Sequence, residues 1–387
     1  MSTIKVNKIE NTATADGGIS IDASGHVEID GVQLPNAGAL SSRNRIINGD
    51  FRVDQRNDGS AVTSPSGGNA YVMDRWFIGR FNDTTGTFTC ERSTTTAGNF
   101  VNSAKVSVTA AQSSVPSNAV YGFTQAVEGL NVGDLAFGTS AAQYVTLSFN
   151  VRSSVTGTFA GRLYNSANNR SYIFQYTISS ANTFEYKTVS IPGDTSGTWL
   201  TTNGIGIGIS FDLGYGTNFE GTANAWQAGE KVRASGNVRL INTNSATWFV
   251  AGVQLEVGEK ATPFEHRSYG DELQRCLRYY NRVAEGFSHS ISNMAIYQDN
   301  NAYGTYTFPV AMRAAPSVDA TDVTGHFKLF SVGSADSFDT ITIENSRTNS
   351  AEFRATASNG LSGASAGDAA FARVNDSEAY VALSAEL

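Results

Sequence analysis

The sequence predicts an all-β protein whose largest part is an antiparallel jelly-roll sandwich. Segments that alternate polar and apolar residues with a period of two recur along most of the chain, as a half-buried sheet requires. Turn residues separate these segments, and glycine alone accounts for 38 of the 387 residues. Charged residues make up only 16% of the chain, so hydroxyl and amide groups must cover much of the strand surface.

Residues 1–43 are predicted to form an N-terminal arm of short strands separated by turn signals. So small a segment cannot bury a core by itself, and its apolar stripes therefore need a partner. We expect three copies of the chain to wind these strands around a common axis. The alternative is a flexible arm that becomes ordered only on docking. The apolar positions of the arm are Ile4, Val6, Ile9, Ile19, Ile21, Val27, Ile29, Val32 and Leu34.

Residues 44–268 are predicted to form the jelly roll. Strand patterns follow one another between turns rich in Gly, Asn and Ser, and no helical pattern longer than a turn or two competes with them. Trp76 and Trp248 lie in apolar strands, so we expect both in the core. The clearest strands are predicted at residues 104–109, 144–151, 172–178, 184–191 and 204–211.

One helix is predicted at residues 269–283. Leu273, Cys276, Leu277 and Tyr280 fall at helical spacing and would share one face. Ser268, followed three residues later by an aspartate, can cap its start. Strand patterns then return, so residues 284–387 are predicted to form a smaller C-terminal β-domain, with strands near 303–309, 326–332, 340–343 and 380–383.

Bulk properties argue against several classes of function. The net charge of -8 does not suit a nucleic-acid binder, which needs a basic surface. No apolar run reaches the roughly eighteen residues that membrane insertion requires. The four histidines lack the spacing of metal ligands, and the two cysteines give no disulfide framework. We therefore expect no metal, no cofactor and no catalytic residue, and hence no enzymatic activity.

Aromatic residues are better candidates for binding. Trp199 and Trp226 are flanked by Gly, Thr, Asn and Gln, so we expect them to be exposed. With Tyr215 they form the predicted carbohydrate-binding set, because sugar rings stack on aromatic faces while amides and hydroxyls bind the sugar hydroxyls. Residues 204–209 alternate Gly and Ile, which predicts a strand with one flat face, open either to close packing or to a ligand.

Three segments carry a resemblance to a known family: NRIINGDFRVDQRN at 44–57, YVMDRW at 71–76, and AGVQLEVGEKATPFEHRSYGDELQRCLRYY at 251–280. Together they resemble the signature of tail-fibre and related virion proteins of tailed phages, especially marine and cyanobacterial phages. The opening MSTIKVNKIEN is similar to openings common in such proteins. The segments bracket residues 44–280. The resemblance implies a jelly roll like that of carbohydrate-binding modules, in a homotrimer.

The resemblance also implies a place and partners. The protein would be made in the host cytoplasm and act in the virion tail, where residues 1–43 would bind other tail proteins and the jelly roll would recognise a host-surface polysaccharide. Similar modules hold a structural calcium ion, but the matching residues 250–253 carry no carboxylate, so we expect no calcium here.

The resemblance further implies that Ile46 and Ile47 begin the first sandwich strand. The charges around them would pin the ends of that strand through ion pairs that join Arg45, Arg52 or Arg75 to Asp54 or Asp74.

Two alternatives stay open. The protein could be a purely structural head, neck or tail appendage, whose jelly roll packs on neighbouring virion proteins. It could also be a polysaccharide-degrading spike, although such spikes are usually long parallel β-helices and no repeat of that kind is visible in the sequence. Exposed aromatics in a groove would favour binding, whereas buried aromatics or aromatics in subunit contacts would favour scaffolding.

Overall fold

The structure is a computed structural model that describes residues 8–10, 18–21, 27–29, 32–33, 42–298, 300–321, 323, 325–338, 340–357 and 360–387. Strands dominate it, which confirms the predicted all-β class. The chain divides into two compact units, residues 1–267 and residues 268–387. Among the helices of the described residues, none has the length and apolar character needed to cross a bilayer.

The arm contains four short antiparallel strands that pair in chain order. Ile9 lies opposite Ile19 in this small sheet. Both side chains are exposed, as is that of Ile21. The predicted apolar positions Ile4, Val6 and Leu34 lie outside the described residues. The strands are β1 (Lys8–Glu10), β2 (Gly18–Ile21), β3 (Val27–Ile29) and β4 (Val32–Gln33).

The rest of the first unit is an antiparallel jelly-roll sandwich, as predicted. Its two sheets, called sheet I and sheet II, face each other across the core. The strands are β5 (Val62–Thr63), β6 (Gly68–Met73), β7 (Trp76–Phe81), β8 (Thr87–Ser93), β9 (Ser103–Ala110), β10 (Val120–Glu128), β11 (Val145–Ser153), β12 (Gly157–Tyr164), β13 (Arg170–Ile178), β14 (Glu185–Ile191), β15 (Ile205–Asp212), β16 (Trp226–Ala228) and β17 (Thr247–Val257). Sheet I has the order β16-β13-β12-β15-β10-β7-β6, and sheet II the order β14-β11-β17-β9-β8-β5.

Aromatic rings fill the space between the two sheets. Trp76 of sheet I stacks on Phe123 with 4.8 Å between ring centroids and 3° between planes. Trp248 of sheet II meets Phe123 edge-on at 5.9 Å and lies 5.3 Å from Phe211. Trp76 and Trp248 are both fully buried, which confirms their predicted place in the core. Such ring pairs add about 0.5–1.5 kcal/mol each to the free energy gained by burying their area.

The predicted strand at Ile46–Ile47 is wrong, because this segment forms turns instead of a ladder. Asn48 and Phe51 have positive φ angles of 57° and 58°, which no strand allows. The Asn48 side chain also bonds locally, accepting from the Val53 N–H at 3.0 Å and donating to the Val53 carbonyl at 2.7 Å. The segment still closes the core, since Ile46 is fully buried.

Two of the charged residues named for this segment have partners other than those expected. Arg45 pairs with Asp134, at 2.6 Å between Nη2 and Oδ2. Asp54 pairs with Arg92, at 3.7 Å between Oδ2 and Nε. These two pairs join the segment to the connection between β10 and β11 and to strand β8.

The second unit starts with helix α1 (Tyr269–Leu277), which is shorter than the predicted 269–283. The predicted cap is confirmed: the Asp271 N–H donates to Ser268 Oγ at 3.1 Å. The helix ends early because the residues after it pair as a strand with a segment about a hundred residues later, in which Tyr280 lies opposite Ser384.

The remaining strands of this unit form two antiparallel sheets. They are β18 (Tyr280–Glu285), β19 (Ser290–Gln298), β20 (Asn301–Thr307), β21 (Ser317–Ala320), β22 (Phe327–Ser331), β23 (Ser334–Phe338), β24 (Thr340–Ser346), β25 (Ser350–Thr356), β26 (Ala369–Val374) and β27 (Tyr380–Ser384). Sheet III has the order β23-β22-β26-β19-β20-β25-β24, and sheet IV the order β18-β27-β21.

Candidate carbohydrate-binding patch

The structure brings two of the three predicted binding residues together. Trp199 lies in the connection between β14 and β15, and Trp226 begins the edge strand β16 of sheet I. Their ring centroids are 5.3 Å apart and their planes meet at 84°, so the edge of one indole contacts the face of the other. Both side chains are half-buried, although the sequence predicts exposed ones.

Two further rings fix the orientation of the indoles. Phe137, only 9% exposed, meets Trp199 at 5.0 Å and Trp226 at 5.8 Å, edge-on in both cases. Tyr172 of β13 lies 5.4 Å from Trp226. We call these four residues the Trp199–Trp226 patch. Because each indole is held by at least two ring contacts, the part that faces solvent is rigid and loses little entropy when a ligand stacks on it.

The polar atom of each indole is already occupied. Trp199 Nε1 donates to the Ser196 carbonyl at 3.1 Å, and Trp226 Nε1 donates to the Pro192 carbonyl at 2.6 Å. Each tryptophan therefore offers a ligand its carbon surface and not a hydrogen bond. A carbon face of this kind suits the C–H groups of a sugar ring, while neighbouring polar groups bind the hydroxyls.

An ion pair anchors the loop that carries Trp199. Arg170 donates from Nε and Nη2 to the two carboxylate oxygens of Asp194, both at 2.7 Å. These hydrogen bonds raise the pKa of Arg170 above its ordinary value. Asn165 donates from its amide to the Thr198 carbonyl at 3.0 Å. The loop before Trp199 is thus tied to sheet I at two points, and its exposed residues 195–198 border the patch with hydroxyl groups.

Tyr215 does not belong to this patch, which corrects the prediction. Its side chain is 4% exposed, and burial raises its pKa above the usual range. The ring contacts Phe219 edge-on at 5.3 Å, and the carbonyl oxygen accepts from Arg233 Nη1 at 3.2 Å and Arg239 Nε at 2.9 Å. A sugar cannot stack on a covered ring, so Tyr215 has a structural role.

The flat glycine face of β15 is also closed. A Cβ atom at Gly208 would lie 2.1 Å from the ring of Tyr164, and one at Gly206 would lie 2.4 Å from Val132. The glycines therefore allow close packing of protein groups, which was one of the two options that the sequence left open.

Sequence reasoning missed the residues that support the patch. Phe137 and the Arg170–Asp194 pair come from three separate segments, and nothing in the local sequence of any of them indicates the others. Only the two tryptophans carried a signal, through their polar flanks. Among the described residues, no group of three or more His, Cys, Asp or Glu side chains is placed to hold a metal ion.

No protein-family model matches the chain, and a search of curated proteins also returned no match. Solved structures that it resembles include the enzymatically active domain of tailspike protein 4 of bacteriophage CBA120, with 14% identity and a TM-score of 0.29. That alignment covers 59% of this chain but only 25% of the tailspike chain.

Two carbohydrate-binding modules are also among the similar structures. The family 11 module of Clostridium thermocellum, solved with a β-1,3-1,4-mixed-linked tetrasaccharide, shows 15% identity and a TM-score of 0.26 over 51% of this chain and 100% of the module. A family 30 module shows 12% identity and a TM-score of 0.24 over 55% of this chain and 96% of the module. Since all three TM-scores are below 0.5, the jelly-roll assignment rests on the sheets of this chain itself.

Proposed function

We propose that this protein is a structural subunit of a phage tail fibre whose jelly roll recognises a glycan on the host surface. The observation that carries the proposal is the Trp199–Trp226 patch. Two indoles with occupied N–H groups pack edge to face, with 5.3 Å between ring centroids, and the carbon surface that they leave exposed lies beside a border of hydroxyl groups. The resemblance of residues 44–57, 71–76 and 251–280 to tail-fibre proteins supplies the viral context.

In this proposal residues 1–43 attach the subunit to other tail proteins and hold three copies together. Three equal sites on one fibre would strengthen binding through avidity, so each patch can be weak. Binding takes place without cleavage of the glycan. A shallow patch suits this role better than a deep pocket, because a fibre must engage a repeating polymer at many places.

The test is binding of the full-length protein to a glycan array, followed by titration of the best glycan. We expect Trp199→Ala to weaken binding by about tenfold, because loss of one stacking face is equivalent to about 1.4 kcal/mol. Trp199→Phe should keep most of the affinity, since it preserves an aromatic face and loses only the hydrogen bond to Ser196. Tyr186→Ala, an exposed ring on β14 outside the patch, is the matched control and should bind normally.

Two outcomes would argue against the proposal. If Trp199→Ala and Tyr186→Ala bind the glycan equally well, the patch is not the site. If a trimeric sample binds neither the array nor host cells, the scaffolding alternative is favoured. New reducing ends after incubation with host polysaccharide would instead support a degrading spike.

A further inference from the structure

Sheet III carries a second aromatic surface, in the unit formed by residues 268–387. Register places Phe330 of β22 opposite Phe371 of β26, and Phe371 opposite Asn293 of β19. These three side chains thus form one row across three adjacent strands, which lie about 4.8 Å apart. The alternate residues Leu329 and Ala372 are buried in the core, so the row lies on the other face of the sheet.

The two phenylalanines form a parallel, stacked pair. Their ring centroids are 5.0 Å apart and their planes differ by 4°. Both side chains are half-buried. The guanidinium carbon of Arg373 lies 5.0 Å from the centroid of Phe330 and 4.6 Å from that of Phe371, within the range of cation–π attraction. We call Phe330, Phe371, Asn293, Arg373 and Lys328 the Phe330–Phe371 face.

The Phe330–Phe371 face carries two neighbouring positive charges. Lys328 lies opposite Arg373 in the register of β22 and β26, so the two cations are neighbours. Neither forms an ion pair within the described residues, and Arg373 Nε is buried without a hydrogen-bond acceptor. By contrast, Arg354 of the same sheet pairs with Glu344 at 2.7 Å between Nη1 and Oε1. A guanidinium has five N–H donors, and four of them, on Nη1 and Nη2, lie beyond the buried Nε of Arg373 and can face an anion.

A groove runs over part of this face. Its volume is about 680 Å³, and Asn293, Phe330 and Phe371 contribute to its lining. The turn between β22 and β23 borders it, where Val332 is 67% exposed and has a φ angle of 47°. The groove therefore covers the part of the face formed by Asn293 and the stacked rings, and Arg373 and Lys328 lie on the same face of the sheet beside it.

We propose that the Phe330–Phe371 face binds an acidic polysaccharide, independently of the Trp199–Trp226 patch. Sugar rings would pack on the carbon surface that the stacked phenylalanine pair leaves exposed, and Asn293 would bond their hydroxyls. Carboxylate or sulfate groups of the polymer would pair with Arg373 and Lys328, as charge-assisted hydrogen bonds between guanidinium and carboxylate are the stronger kind. The choice of an acidic polymer follows from charge, because Arg373 and Lys328 are neighbouring cations and neither has an ion-pair partner among the described residues.

The experiment is calorimetric titration of the full-length protein with polygalacturonate and, separately, with neutral dextran. We expect binding to polygalacturonate alone, with affinity falling as salt is added. Arg373→Gln should weaken it by about tenfold or more, since it removes a charge-assisted contact. Phe371→Leu, which keeps apolar volume but removes the ring, should weaken it as well. Lys328→Gln removes the second cation at a position outside the core, and it should also weaken binding to polygalacturonate.

The matched control is Arg354→Gln, which removes a charge of the same type from the same sheet and should leave binding unchanged. Trp199→Ala should also leave binding to polygalacturonate unchanged, which separates this proposal from that for the Trp199–Trp226 patch. Equal affinity for dextran, normal binding by Arg373→Gln and Lys328→Gln, or equally tight binding of a single-stranded oligonucleotide would overturn the proposal. So would a change of solution mass in Phe371→Leu, because it would make the face a contact between copies.

Discussion

At the residue scale, Asp212 and Arg233 form an ion pair closed to solvent, with side chains 0% and 1% exposed and 3.4 Å between Oδ2 and Nη1. Burying two charges costs solvation energy, which is recovered only when they also make good hydrogen bonds. Asp212 Oδ1 accepts from the N–H groups of Gly214 and Tyr215, both at 2.8 Å. Asp212 thus holds the turn that carries Tyr215 through Oδ1, and Arg233 Nη1 donates to the Tyr215 carbonyl at 3.2 Å.

We predict that Arg233→Met lowers the free energy of unfolding of the jelly roll by about 3–5 kcal/mol, because it leaves the Asp212 carboxylate buried without its partner. The double variant Asp212→Asn with Arg233→Met should recover part of this loss. Asp134→Asn is the control, since its pair with Arg45 is partly exposed and should contribute less than about 1 kcal/mol. Urea unfolding would measure all three. Equal small losses for Arg233→Met and Asp134→Asn would contradict the prediction.

The same residues show how far a sequence can predict a site. Trp199 and Tyr215 both have polar and glycine neighbours, yet one is half-buried at the surface and the other is covered. What differs is tertiary: Arg233 and Arg239 return from later in the chain and bond the Tyr215 carbonyl. Local composition therefore identified possible binding residues, but it could not rank them by exposure.

At the element scale, helix α1 depends on its cap. It has only nine residues, too few for a helix that is stable without tertiary contacts. Ser268 Oγ accepts from the Asp271 N–H at 3.1 Å, and two acidic residues lie in the first turn, where the helix dipole favours them. Ser268→Ala should therefore cost the second unit about 1 kcal/mol, while Ser268→Asp should cost little.

Chemical denaturation followed by circular dichroism would measure these effects, with Ser317→Ala, an exposed strand position of the same unit, as the control. Identical unfolding midpoints for Ser268→Ala and Ser317→Ala would mean that the cap contributes nothing to stability.

Strands were easier to predict than this helix. The period-two pattern at 172–178 corresponds to β13, and that at 204–211 to β15, within two residues at each end. The alternation of polar and apolar residues in a strand depends only on neighbouring positions, so it can be read directly from the sequence. The end of α1 could not be predicted in this way. The helical pattern continues to Tyr280, but residues 280–285 pair with β27 near the far end of the chain, and local sequence does not show this long-range pairing. The turns at 44–57 were missed because the Asn48 side chain hydrogen-bonds the backbone of nearby Val53, so the segment turns and does not pair as a strand.

At the scale of the whole molecule, the N-terminal arm exposes apolar side chains. Its isoleucines Ile9, Ile19 and Ile21 are 60%, 44% and 46% exposed. Burying such a side chain fully contributes about 1.5–3 kcal/mol. If three copies cover these side chains together, the gain applies to each copy, so burial of the arm favours assembly.

We therefore predict that the full-length chain is a trimer in solution and that removing residues 1–41 gives a monomer. The cut is placed there because the N–H groups of Arg43 and Asn44 donate to Glu265 at 3.2 Å and 3.0 Å and belong to the jelly roll. Sedimentation equilibrium would measure both masses, and Ile19→Ser in the full chain should weaken the trimer without shortening it. A trimer that survives the cut would place assembly in the later domains. A monomer in both samples would favour an appendage held by its neighbours, because a lone subunit would lack the avidity on which weak glycan binding depends.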